Sequence, residues 1–194
     1  PAPLVPRGSI LPLWIEARVD EGVHVHDVAW WRGALWAVGS GSSQADWTRG
    51  QIDGHLWRSI DRGASFTVAA RHSNMGRGDA RWVRVLGLAD ALLLFGYRTD
   101  AMGRATIVNA RWDGDAAAPL AMADPLRGAF VLETLTLPGG GGFARGAVSV
   151  GGALVHRAFR VDADGAARVI EHFNGRRVLD VFRHAPTGEV VVLS

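Results

Sequence analysis

The chain has 194 residues, of which 48% are hydrophobic and 21% charged, and its 21 basic and 19 acidic residues leave a net charge of +2. That length and balance fit a single globular domain and exclude a disordered chain. Every basic residue is Arg and there is one Tyr, so the sequence pI near 10.3 reflects a shortage of groups titrating above neutrality, not a strongly basic surface, and nucleic acid is not expected as a partner.

With no Cys, disulfides, thiolate metal sites and Cys nucleophiles are excluded. No run of about 20 apolar residues is present, so no membrane-spanning helix is expected. Leu4-Val5-Pro6-Arg7-Gly8-Ser9 spells a thrombin-cleavage sequence. Residues 1–9 are therefore read as a tag or linker and residues 10–194 as one domain. Localisation is left open by that reading, with secretion or the periplasm favoured.

From Leu11 onward the pattern is one of short strands. Leu11–Val19 is strand-like. A first unit over about 24–70 holds strands at His26–Trp31, Ala34–Gly39, His55–Ile60 and Phe66–Ala70. A second, over 81–122, holds Trp82–Leu88, Leu92–Tyr97, Ala105–Arg111 and Pro119–Met122. A third, over 130–172, holds Phe130–Leu137, Ala147–Val150, Leu154–Val161 and Ala167–His172. Val178–Arg183 and Glu189–Leu193 begin a fourth over 178–194, to which 11–19 is assigned as an outer strand. No stretch has helical periodicity, and Gly139 to Gly142 is the only low-complexity run.

The hairpin turns repeat. Ser59-Ile60-Asp61-Arg62-Gly63-Ala64-Ser65-Phe66 stands between two apolar runs, and weaker versions centre on Asp113-Gly114 and on Asp162-Ala163-Asp164-Gly165. Asp61, Asp113 and Asp162 are 52 and 49 residues apart (113 − 61 and 162 − 113). A period near fifty with about four short strands in each period predicts an all-β fold, a β-propeller of roughly four blades or an incomplete part of a larger one. The apolar last strand, which would otherwise leave an open edge, favours the incomplete form.

The S-x-D-x-G-x-[ST]-[FW] pattern of Ser59, Asp61, Gly63 and Phe66 resembles the Asp-box, or BNR repeat, of sialidase-like β-propellers. The resemblance implies that Asp61 holds the turn by accepting backbone N–H bonds, that Gly63 supplies a positive φ and that Phe66 packs between sheets. It also implies a choice among glycosidases, sorting receptors and assembly factors. The sialidase mechanism needs a Tyr nucleophile and three carboxylate-binding arginines; here Tyr97 is the only Tyr, and no Arg has the family's Arg-Ile-Pro context.

Two groups of residues are candidates for a site. The longest loops, Ser40–Gly54, Arg71–Ala80, Arg98–Arg104 and Pro138–Gly146, are expected to share one face and to gather Trp47, Arg49, Arg77, Arg98, Arg104 and Arg145. Guanidinium forks bind carboxylates and indole stacks on sugars, so the ligand expected there is an acidic glycan or a protein partner. The alternative is that these arginines are solvated or paired with Asp46, Asp53, Asp79 and Asp100.

Asp27, Arg84, Glu133 and Asp180 hold similar places in successive first strands and are expected around the central channel, as an ion network or around a cation. His24-Val-His26 lacks a third metal ligand, Asp162-Ala-Asp164-Gly165 lacks the rest of a calcium loop, and Arg77-Gly78-Asp79 arises easily by chance. No metal or cofactor is expected.

The functional expectation is a non-catalytic module that binds a ligand or protein through its loop face, with a companion chain completing the propeller as a further partner. The alternatives are a sialidase-like glycoside hydrolase whose active site needs residues outside this chain, and a structural domain of a larger assembly.

Overall fold

A computed structural model describes residues 23–41, 51–73, 78–184 and 187–194. Among these, apart from one 3-10 turn at Glu171–Phe173, all regular structure is β. The strands are β1 (His24–Trp31), β2 (Ala34–Gly41), β3 (Gln51–Ser59), β4 (Thr67–His72), β5 (Gly78–Gly87), β6 (Leu92–Thr99), β7 (Ala105–Ile107), β8 (Ala110–Trp112), β9 (Ala117–Pro119), β10 (Ala129–Thr136), β11 (Gly142–Val150), β12 (Ala153–Val161), β13 (Ala167–Val169), β14 (Asp180–Arg183) and β15 (Val190–Leu193).

Consecutive strands pair antiparallel into β1-β2-β3-β4, β5-β6 followed by β7, β8 and β9, β10-β11-β12-β13, and β14-β15. A short parallel contact, Gln51 with Gly78 and Ile52 with Asp79, ties the first unit to the second. The first strands lie side by side in the order β1, β5, β10, β14. That is the arrangement of blades in a β-propeller, with each blade's innermost strand next to that of the following blade.

The core fills the spaces between blades. Trp31, Trp36, Val38 and Leu56 of the first blade meet Trp82, Val85, Leu92, Leu94 and Trp112 of the second. Leu86, Leu93 and Phe95 meet Val131, Ala144 and Phe159 of the third, and Phe143 and Ala158 meet Val178 and Val181 of the last. In Leu92-Leu93-Leu94-Phe95 successive side chains therefore enter two different cores, which is why β6 reads as an unbroken apolar run.

Several expected boundaries move. The strand expected over Ala105–Arg111 is split into β7 and β8, both paired to β6. Buried Asn109 accounts for the break: its Oδ1 accepts from the Gly96 N–H at 3.1 Å, and its amide donates to the carbonyls of Leu126 and Ala129 at 2.5 and 2.8 Å. It thereby ties the second blade to the segment leading into the third. The strand expected to begin at Ala147 begins at Gly142 instead, which shortens the Pro138–Gly146 loop. The Leu11–Val19 strand lies outside the described residues.

Candidate functional site

Asp27, Arg84 and Glu133 share a local geometry that their sequence contexts do not reveal. Each follows a register shift in the innermost strand, where His26, Val83 and Leu132 are the extra residues of β-bulges. Across each bulge lies a glycine, Gly39, Gly96 or Gly146, where a Cβ would collide with the carbonyl oxygen of His24, Arg81 or Phe130. The extra residue also changes which side chains share a face. His24 and Asp27 pair with Ser40 and Val38, Arg81 and Arg84 with Tyr97 and Phe95, and Phe130 and Glu133 with Ala147 and Arg145. Residues three apart in sequence thus come onto one side of the strand.

From these positions the charged groups reach into the next blade. Asp27 Oδ1 accepts from the Val28 N–H at 2.9 Å, and its Oδ2 accepts from the N–H of Val85 in the second blade at 3.0 Å. Thr134 Oγ1, which donates to the Val85 carbonyl at 3.0 Å, lies 3.5 Å from the same oxygen. Arg84 donates from Nε to the Leu132 carbonyl at 2.7 Å and from Nη1 to the Val83 carbonyl at 2.6 Å. Arg145 Nε pairs with Glu133 Oε2 at 2.5 Å, and its Nη1 donates to the Val178 carbonyl at 3.0 Å. Asp180 Oδ1 accepts from the Val181 N–H at 2.8 Å, matching the bond within Asp27-Val28.

The electrostatics differ from group to group. Burial pushes the Asp27 carboxyl above its ordinary value, against the lowering effect of its bonds from Val85 and Val28 and of the Arg84 charge. His26, whose Nε2 lies 3.2 Å from Ser40 Oγ, is held below the usual histidine value first by burial and then by Arg81, His24 and Arg84. The neighbourhood therefore combines a half-buried carboxyl that retains its proton to higher pH, an ion-paired carboxylate and several cations.

Asp27, Arg84 and Glu133 thus fall at matching places on the inner strands, whereas Asp180 opens β14 in an unshifted register with β15. The loop group fares differently. Trp47, Arg49 and Arg77 lie outside the described residues. Arg98 is exposed near the end of β6, and Arg104 pairs through Nε with Asp100 Oδ2 at 2.7 Å in a turn that Asp100 also caps by accepting from the Met102 and Arg104 N–H groups. Arg145 is not a loop residue: it stands on β11 beside Glu133. Asp79, one of the acids expected to neutralise the loop arginines, pairs with Arg81 at 2.7 Å. Among the described residues no cluster of three His, Cys, Asp or Glu side chains is placed to hold a metal ion. No helix of the described residues is long and apolar enough to cross a membrane.

The Ser59–Phe66 turn lies between β3 and β4, with Phe66 half-buried. Ser59 Oγ donates to Asp61 Oδ1 and accepts from the Gly63 N–H, both at 2.7 Å, while Asp61 accepts from the Ser65 N–H at 2.9 Å and the Ser65 hydroxyl at 2.5 Å. Gly63 has φ of 95°. The bonds from Ser65, followed by that from Ser59, lower the Asp61 pKa to about 2. Asp113 and Asp164 cap the corresponding turns of the next two blades through the N–H groups of Asp115, Ala116 and Ala166.

One polar cluster escaped sequence reasoning. Around Gly54, the buried atoms Asp53 Oδ1, His72 Nε2, Arg81 Nε and Trp82 Nε1 have no hydrogen-bond partner among the described residues. His72 is the cross-strand neighbour of Gly54, and the backbone of Arg81 and Trp82 packs against it. His72 is lowered in pKa by burial and by Arg98, with Asp53 opposing. No motif signals this meeting of β3, β4 and β5.

No family model matches the chain, and comparison with curated proteins gives no match. Among solved structures, the chain is similar to the GH43_1 enzyme from Xanthomonas citri. For the complex with xylose, identity is 16% and the TM-score 0.42, covering 83% of this chain and 60% of that one. For the complex with xylotriose the values are 16% and 0.44, covering 89% and 68%. It is also similar to the Trypanosoma rangeli sialidase in complex with sialic acid, at 12% identity and a TM-score of 0.46, covering 79% of this chain and 31% of that one. The chain thus spans about 60% of the length of the xylose-bound enzyme and a third of the sialidase.

By name these neighbours are enzymes, and the expectation of a non-catalytic binding or assembly module is corrected on that finding.

Proposed function

We propose that the chain forms part of a glycoside hydrolase whose reacting groups stand on the inner strands β1 and β10. The observation that carries this reading is the placement of Asp27 and Glu133 at equivalent bulges, one carboxyl half-buried with a raised pKa and the other ion-paired with Arg145. Glycoside hydrolysis asks for such a pair of unlike carboxyl groups. In this reading Asp27 donates its proton to the glycosidic oxygen as the bond to the anomeric carbon breaks. Glu133 takes a proton from the water that attacks that carbon. Further walls of the site come from residues beyond these strands.

The test is a screen of the purified chain against 4-nitrophenyl glycosides of the common pentoses, hexoses, uronic acids and sialic acid, together with oligosaccharides read by mass spectrometry. Time-dependent cleavage supports the reading. Absence of turnover on the whole panel argues against it.

A further inference from the structure

We infer that Tyr97 and Phe130 form a stacking platform for a sugar ring on the strand that carries Glu133, an inference that rests on the glycoside hydrolase reading. The two rings meet across the boundary between the second and third blades, with centroids 6.1 Å apart and planes at 51°. Phe130 is 38% exposed although it lies in an innermost strand, and Tyr97 is half-buried.

The bulge at Leu132 sets Phe130 on the same side of β10 as Glu133. Their cross-strand partners, Ala147 and Arg145, are two positions apart on β11, so the backbones of Phe130 and Glu133 lie roughly 7 Å apart along the sheet. That is far enough to hold a different sugar unit from the one being cleaved, yet close enough for the two units to be joined.

The surroundings are amphipathic in the way a sugar requires. Aromatic faces suit the C–H side of a pyranose or furanose ring, while its hydroxyls need donors and acceptors at the edge. Arg81, cross-strand partner of Tyr97, and Asp79, ion-paired with it, supply both. Arg81 also shares a face with Arg84 through the bulge at Val83. The substrate class that follows is an oligosaccharide in which a ring next to the scissile bond stacks on Tyr97 and Phe130.

Binding to a glycan array, followed by calorimetric titration of the strongest oligosaccharide, tests the platform without relying on turnover. Phe130→Leu keeps an apolar side chain and Tyr97→Phe keeps the ring, so both separate stacking from folding. The expected result is a loss of affinity of roughly tenfold for Phe130→Leu and Tyr97→Leu, with Tyr97→Phe within about twofold of the parent. If Phe130→Leu and Tyr97→Leu bind like the parent, or the parent binds no glycan, the platform is wrong. If those variants lose affinity while Glu133→Gln hydrolyses as fast as the parent, the platform stands and the role given to Glu133 fails.

Discussion

Arg84 donates from Nε to the carbonyl oxygen of Leu132 at 2.7 Å, joining the innermost strands of two neighbouring blades. Leu132 is the extra residue of its bulge, so its carbonyl stands at a break in the pairing with β11. Arg84 also caps Val83, the extra residue of its own strand, at 2.6 Å. One guanidinium thus satisfies the backbone at two bulges and fixes β5 against β10.

Replacing Arg84 by Met should therefore leave two partly buried carbonyls without their charged donor and cost about 2–3 kcal/mol of stability. Arg84→Lys, which can reach one of them, should recover part of the loss. Urea unfolding followed by far-ultraviolet circular dichroism would read this as a lower midpoint with an unchanged slope. A midpoint equal to that of the parent would show that solvent replaces the guanidinium freely.

Gly96 tests whether the bulges are imposed by close packing. A Cβ at this position would run into the Arg81 carbonyl oxygen, so Gly96→Ala must open the β5–β6 pairing and is expected to cost at least about 2 kcal/mol. Gly128 has no atom within 4 Å of its Cβ position, and Gly128→Ala should lie within about 0.5 kcal/mol of the parent. Equal midpoints for the two variants would remove the packing argument.

Two carboxyl groups should give opposite pH dependences. Asp27 is raised above 3.8 by burial, so the folded state binds its proton more tightly and its contribution is present below pH 3.8 and fades as pH rises through the raised value. Asp61 is lowered to about 2, so its contribution is present above pH 3.8 and fades as pH falls toward 2. Comparing unfolding midpoints of the parent with Asp27→Asn and Asp61→Asn between pH 2 and 7 should give difference curves of opposite slope. Parallel curves would contradict the environments assigned to one of the two.

Much of the blade pattern is legible in the chain because turn chemistry is local. Asp61, Asp113 and Asp164 each need only a few neighbouring N–H groups to fix a hairpin, and the spacing of Asp61, Asp113 and Asp162 exposes the repeat. The bulges are not legible in the same way, since His26, Val83 and Leu132 have nothing in common as residue types. The glycines opposite them do carry a signal: Gly39, Gly96 and Gly146 are 57 and 50 residues apart, close to the period of the turns (96 − 39 and 146 − 96).

The glycine run before Arg145 suggests a loop, but Gly142 packs against the side chain of Leu86 and β11 starts there, which puts Arg145 within a strand. The Gly54 cluster was hidden for a different reason: Asp53, His72, Arg81 and Trp82 meet only when the first two blades dock.

The most direct test of the account is hydrolysis of the best oligosaccharide from the screen by the parent and by Glu133→Gln, with circular dichroism confirming that both are folded. The variant retains a side chain able to bond Arg145 but loses the carboxylate that accepts a proton from water. The expected result is measurable turnover by the parent and a fall in kcat of roughly 100-fold or more in the variant, the scale of a missing general base. Turnover by Glu133→Gln at the parent's rate, or none by the parent, would contradict the placement of glycoside hydrolysis at these inner strands.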